Sequence, residues 1–164
     1  MKEEHVIHPL DPIIDQGCEI LILGSLPSVK SREVSFYYGH PQNRFWKIIS
    51  ALTHTPLPKT NEEKREMLLS NHIALWDTIQ SCIITGSSDS SIREVEVNDI
   101  AGLIESTHIS RIYCNGNTSY KYYHRYIEKQ TGIKAETLPS SSPANASYSL
   151  ERLIEVWGRL LTRS

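Results

Sequence analysis

The sequence predicts an α/β fold, a three-layer α/β/α sandwich around a central, mostly parallel four-stranded sheet. Two observations carry this. Short apolar runs alternate with amphipathic helical patterns, the signature of strands laid side by side and connected by helices. The segments that follow the runs are rich in glycine, serine, asparagine and proline, as expected of loops beyond the carboxyl ends of parallel strands, where such sheets carry their ligands.

The elements follow in order. The run Ile20–Leu23 in "CEILILGSLPS" is continuous rather than alternating, which suits a strand buried on both faces, and it ends at glycine, serine and proline. In "NRFWKIISAL", Phe45, Ile48, Ile49 and Leu52 share one helical face, with Trp46 beside it. "NEEKREMLLSN" is a second helix, acidic in its first turn as the helix dipole favours. "HIALWDTI" gives the second strand, and "QSCIITGSSDSSI" reads as an ordered surface loop. In "VNDIAGLIEST", Asn98 stands at a helix-cap position; "RIYCN" is the third strand. Gly116 opens and Gly132 closes the next helix, "KAETL" supplies the fourth strand, and Leu150, Leu153, Ile154, Trp157 and Leu161 line the inner face of a final helix.

The chain of 164 residues is the length of one ordinary domain, and no linker, repeat or low-complexity tail divides it, so a single domain over 1–164 is expected. A net charge of −2 argues against a polybasic role. Cys18, Cys82 and Cys114 are widely spaced and odd in number, which suits free thiols rather than a disulfide framework or a zinc site. No segment approaches the roughly twenty apolar residues that cross a membrane. A cytoplasmic protein, with no membrane association and no metal or organic cofactor, is the expectation.

The stretch "SFYYGHPQNRFWKII" concentrates the chemistry. Tyr37 and Tyr38 are either loop aromatics or a face on which a heteroaromatic base stacks, worth about 1–3 kcal/mol per base. Asn43 either caps the following helix or offers its carboxamide, donor and acceptor together, to a base edge or a water. His40 is a general base or a structural histidine; Asp77 and Asp89 are the nearest carboxylates, and either also suits a turn or solvated role. Gly24, Ser25 and Pro27 make a tight turn or present backbone N–H groups to a ligand, without the lysine of a nucleotide P-loop. No G-x-S-x-G elbow and no metal-ligand spacing occurs.

Taken in order, "ILGSLPS", "YYGHPQNRFWKII", "ALWDTIQSCIITGSSDSSI" and "LPSSSPANA" resemble the uracil-DNA glycosylase superfamily over nearly the whole chain, and within it the DNA-deoxyinosine (hypoxanthine-DNA) glycosylase family. The resemblance implies a monofunctional enzyme that flips a deaminated base, hypoxanthine, out of DNA and hydrolyses its N-glycosidic bond, leaving an abasic site. It implies DNA containing such a base as the partner and a monomeric state. Asn43 matches the catalytic residue of the "HPxNxFW" pattern. Gly24, Ser25 and Leu26 lie in the first signature loop with Ser28, and Leu26 stands where many relatives carry an asparagine or aspartate that handles the attacking water. Tyr38 matches the aromatic that stacks on the flipped base. Ser142, Pro143, Ala144 and Asn145 match the second signature loop, which meets the DNA. Ser81 is expected beside the base and Ser87 toward the DNA, with Cys82 and Asp89 matching the same pieces. Lys30, Arg32, Arg44 and Lys47 are candidates for phosphate contact, though Lys30 and Arg32 equally suit solvated turns. The other readings are a uracil- or xanthine-preferring enzyme of the same fold, and a catalytically silent binder of damaged DNA or of a nucleobase.

Overall fold

The computed structural model describes residues 3–86 and 88–162. Its strands are β1 (Glu3–Ile7), β2 (Ile20–Gly24), β3 (Ile73–Asp77), β4 (Ile79–Thr85), β5 (Arg93–Val97), β6 (Arg111–Asn115) and β7 (Glu136–Leu138). The helices are α1 (Val29–Val34), α2 (Phe45–Thr53), α3 (Asn61–Ser70), α4 (Ile100–Ile104), α5 (Asn117–Tyr122), α6 (Glu128–Thr131) and α7 (Leu150–Leu161), with a π-helical stretch at Tyr123–Ile127 joining α5 to α6.

The central sheet has four parallel strands in the order β3-β2-β6-β7. Side chains alternate across it, and both faces are apolar. Ile22, Leu75 and Tyr113 pack against α2, α3 and α7 through Phe45, Ile48, Met67, Leu153 and Trp157. Leu21, Leu23, Ala74, Ile112 and Cys114 pack on the opposite side against Ile100, Tyr123 and Ile127. A strand buried on both faces has no place for polar side chains along its length, so they collect at its ends. The register sets Gly24 beside Asp77 and Asn115 beside Leu138, making a row at the carboxyl edge.

Helix ends follow local chemistry. Thr60 accepts from the Glu63 N–H at the start of α3 while Glu63 reaches back to the Lys59 N–H, and Ser149 accepts from the Arg152 N–H at the start of α7. Gly116, at φ +96°, opens the α5 helix in a conformation that disfavours any side chain.

Two sequence expectations are corrected. The segment read as a surface loop contains β4, which pairs antiparallel with β1 and β5 in a second, three-stranded sheet. Its inner face buries Val6, Ile79, Cys82 and Ile84 against Tyr122, so the apolar residues of "SCIIT" have a core of their own. The cap of α4 is Asp99, which accepts from the Gly102 N–H. Asn98 is buried instead, and its amide donates to the carbonyls of Asp77 (2.9 Å) and Ile79 (3.3 Å) across the corner between β3 and β4. Asn98→Ala is expected to remove about 1–3 kcal/mol of stability by leaving buried carbonyls without a donor. A urea midpoint equal to that of the wild type would show that the corner does not depend on this amide.

Candidate active site

The carboxyl edge of the parallel sheet opens into a cavity of about 410 Å³, within the range of small-ligand sites. Its walls come from the turn after β2, the tyrosine segment, the β4–β5 connection, the end of β6 and the loop after β7. The lining mixes serine hydroxyls, the carboxamides of Asn43 and Asn115 and the carboxylates of Asp77 and Asp89 with an apolar share of similar size from Leu26, Pro27, Tyr37, Tyr38, Ile84 and Ala144.

Asn43 is held by two donors. Its Oδ1 accepts from the Phe45 N–H at 2.9 Å and from the Ser141 hydroxyl at 2.9 Å. A backbone N–H can only donate, so the oxygen is the atom turned to the protein and the amide nitrogen is the atom left for the cavity. Ser141 is fully buried, and its Oγ accepts from Asn115 Nδ2 at 3.0 Å while its N–H donates to Asn115 Oδ1 at 3.0 Å. Asn115, at the end of β6, thus fixes Ser141, and Ser141 fixes Asn43. Capping and pocket-lining, alternatives in the sequence, are one arrangement here.

Asn115 Nδ2 also donates to the Tyr38 hydroxyl at 3.1 Å. The Tyr38 ring stacks on Phe45 with centroids 4.2 Å apart. Its backbone sits in the left-handed region at φ 52°, a cost of about 1–2 kcal/mol for an L residue. The stack and the hydrogen bond hold it there. Burial, and then the nearby Asp77 carboxylate, push its phenol well above the ordinary tyrosine range, so it stays protonated.

Asp77, at the end of β3, is 3 % exposed; its Oδ2 accepts from His8 Nε2 at 2.7 Å. A Cβ on Gly24 would lie 2.4 Å from Asp77 Oδ1 and 2.9 Å from the Tyr38 hydroxyl, so only glycine fits between them. Asp89 stands at the cavity wall; desolvation raises its pKa against a hydrogen bond with Thr118.

Of the residues singled out in the sequence, Gly24, Ser25, Leu26, Ser28, Tyr38, Asn43, Ser142 and Ala144 line the cavity. Ser28 also caps α1 through the Ser31 N–H. Pro143 and Asn145 belong to the same loop but lie outside the cavity wall, and Asn145 folds inward by donating to the Ser140 carbonyl. Ser81 is corrected: it lies within β4, in register with Ile7 and Glu96, and does not line the cavity. Ser87 lies outside the described residues. His40 belongs to the turn before α2, its Nδ1 accepting from the Gln42 N–H. Tyr37 is a core residue as well as a wall, 3 % exposed and donating to the Asp11 carbonyl.

Arg44 is corrected from a phosphate contact to an internal clamp. Its guanidinium donates to the carbonyls of Ser141, Ser142, Asn145 and Tyr148, holding the loop after β7. Arg32 is mostly buried against Gly86 and Glu4, whereas Lys30 and Lys47 are exposed. Sequence reading missed His8, Asn115, Ser140 and Ser141; the strand end "RIYCN" was the one local signal for Asn115.

A parallel α/β/α sandwich with a cavity of mixed polar and aromatic lining at its carboxyl edge defines an α/β protein with a small-ligand site at the strand ends. The family model of the uracil DNA glycosylase superfamily matches residues 12–160, and the chain belongs to that superfamily. It is 38 % identical over 142 residues to a protein named hypoxanthine DNA glycosylase from Methanosarcina acetivorans, covering 85 % of this chain and 89 % of the relative. A Methanosarcina barkeri protein of the same name is 36 % identical over 136 residues, covering 82 % and 85 %. Among solved structures, the solution NMR structure of a Methanosarcina acetivorans protein, described provisionally as a uracil DNA glycosylase, superposes with a TM-score of 0.78 at 33 % identity, covering 94 % of this chain and 98 % of that one.

The clamp is testable. Arg44→Lys keeps the charge but loses the planar fork. Amide hydrogen exchange across residues 140–148 is expected to accelerate by roughly tenfold or more, a loss of about 1.4 kcal/mol of local protection, while β2 is unchanged. Unchanged exchange in that loop would return Arg44 to a surface role.

Proposed function

We propose that this protein is a hypoxanthine DNA glycosylase: it extrudes the base of deoxyinosine from DNA and hydrolyses the N-glycosidic bond, leaving an abasic site. The observation that carries the reading is the Asn43 amide, fixed through its oxygen and offering N–H to the cavity. The names of the two relatives, each matching most of this chain, support hypoxanthine as the base.

A base inside the duplex is shielded, and an enzyme acting on its sugar bond must take it out of the stack; a weakly paired deaminated base costs least. Tyr38, backed by Phe45, supplies the rigid ring against which such a base rests. As the bond to the sugar breaks, positive charge grows on the sugar and negative charge on the departing base. The Asn43 N–H group then donates to a base that is gaining charge, and its fixed position means that nothing reorganises at that moment. Leu26 has no polar atom with which to polarise water. In this reading catalysis rests on helping the base leave.

Among the described residues no lysine lines the cavity; Lys64 sits over the rings of Phe36 and Trp46. This supports hydrolysis without a Schiff-base intermediate, hence no strand cleavage. Ser142 and Ala144 at the rim, with Pro143 and Asn145 beyond it, are placed to meet the DNA backbone, and Lys30 and Lys47 are the exposed cations for phosphates. The protein acts as a monomer in this reading.

The test is single-turnover excision from oligonucleotides carrying one deoxyinosine, deoxyuridine or deoxyxanthosine, with alkali to reveal abasic sites. Hypoxanthine is expected to be released fastest. Asn43→Ala is expected to slow that release by roughly 10²–10³-fold, the usual effect of removing one donor from a developing anion. Faster uracil release would overturn the substrate assignment, and binding without release of any base would make the protein a silent binder.

A further inference from the structure

The surface beside the cavity carries an aromatic and basic patch that the reaction described above does not use. It lies in "YKYYHRY", where α5 passes into the π-helical stretch Tyr123–Ile127. π-Helical turns are rare, and those that occur often mark functional sites. Tyr123 and Ile127 are wholly buried and anchor the segment, while Lys121, His124, Arg125 and Tyr126 face outward. Tyr126 is 46 % exposed, and its ring lies near-parallel to that of Tyr122, with centroids 6.4 Å apart. Lys121 Nζ stands 5.3 Å from the Tyr122 centroid, and Arg125 Cζ 5.9 Å from that of Tyr126. Among the described residues no carboxylate pairs with either cation; Glu128 is taken up by His124. Lys121, Arg125 and Lys129 against Glu128 make this segment positive in a chain whose net charge is −2.

The patch is continuous with the cavity. Tyr122 and Ile84 share one apolar cluster, Leu26 packs against it, and both Ile84 and Leu26 line the cavity. Thr118 meets Asp89 at the cavity wall, and from Thr118 to Tyr126 the helical rise is about 12 Å, the length of roughly three to four stacked nucleotides. An exposed ring flanked by unpaired cations suits a polyanion that also offers flat faces. In a duplex those faces are covered by neighbouring pairs; in a single strand every base presents one. An acidic protein surface would use the cations and leave the ring without a flat partner.

We propose that this face binds single-stranded DNA, a base stacking on Tyr126 and phosphates meeting Lys121 and Arg125, so that a strand leading away from the cavity is held out of the duplex. The inference goes beyond the glycosylase reading, which needs only the cavity and its rim.

The test is fluorescence anisotropy of an undamaged oligothymidylate of about fifteen nucleotides, long enough to run from the cavity past Tyr126. Tyr126→Ala is expected to weaken binding by roughly five- to hundredfold, and Tyr126→Phe, which keeps the ring, by less than about twofold. Arg125→Gln and Lys121→Gln are each expected to reduce the slope of log affinity against log salt by about 0.7, the value for one phosphate contact on a single strand. On the duplex formed with the complementary strand, Tyr126→Ala is expected to bind within about twofold of the wild type. Wild-type affinity in Tyr126→Ala, an equal loss in Tyr126→Phe, or an equal loss on the duplex would overturn the assignment. If Tyr126→Ala does not fold, the two cation variants carry the test, and an unchanged salt slope in both would overturn it. Excision of hypoxanthine without single-strand binding would end this inference and leave the glycosylase reading standing; strand binding through Tyr126 without excision would do the reverse.

Discussion

The carboxyl edge of this protein depends on one buried hydroxyl. Ser141 Oγ accepts from Asn115 and donates to Asn43, while its backbone N–H returns a bond to Asn115 and its carbonyl receives Arg44. A hydroxyl that accepts on one side and donates on the other is directional, and every other orientation leaves a buried polar atom without a partner. The tip of β6, the loop after β7 and the start of α2 are thereby locked into one geometry. That geometry turns the Asn43 N–H group toward the cavity.

The rest of the fold supports this edge. A parallel sheet apolar on both faces leaves polar groups only at its ends, and the register brings Gly24, Asp77, Asn115 and Leu138 into one row. Phe45 joins the two regions: it is wholly buried in the core, packs edge-on against Trp157, and carries the Tyr38 ring on its face. The left-handed backbone at Tyr38 is thus supported by core packing rather than by the loop alone. Thr78 and Ile79 donate to the carbonyls of Gly24 and Ser25, tying the first loop to the β3–β4 corner. Active-site rigidity here is an extension of core packing.

The four parallel strands and the long helices were legible in the sequence because their apolar periodicity is local. Gly24 to Ser28, Tyr38 and Asn43 were legible because each belongs to a short motif with an ordered neighbourhood. The second sheet was not: β1 and β5 are largely exposed and polar, and β4 ends among serines and glycine, so the pattern resembled a loop until their pairing was seen. Asn98 and Arg44 looked like a cap and a phosphate contact because each role has a local signature, whereas their actual partners lie about 20 and 100 residues away. Ser141 carries no spacing signal at all, and Asp77 was legible only as a carboxylate at a strand end. Their meaning comes from Asn43, 98 residues away from the one, and His8, 69 residues away from the other.

In the glycosylase reading Asn43 acts as a donor to the departing base and not as a base toward water. Single-turnover release of hypoxanthine by Asn43→Asp separates the two, since a carboxylate accepts the same bonds from Phe45 and Ser141 but has no N–H to give. Asn43→Asp is expected to lose roughly 10²–10³-fold with the fold preserved. Release at or above the wild-type rate would contradict it, because a carboxylate at that position would then be drawing a proton from the attacking water.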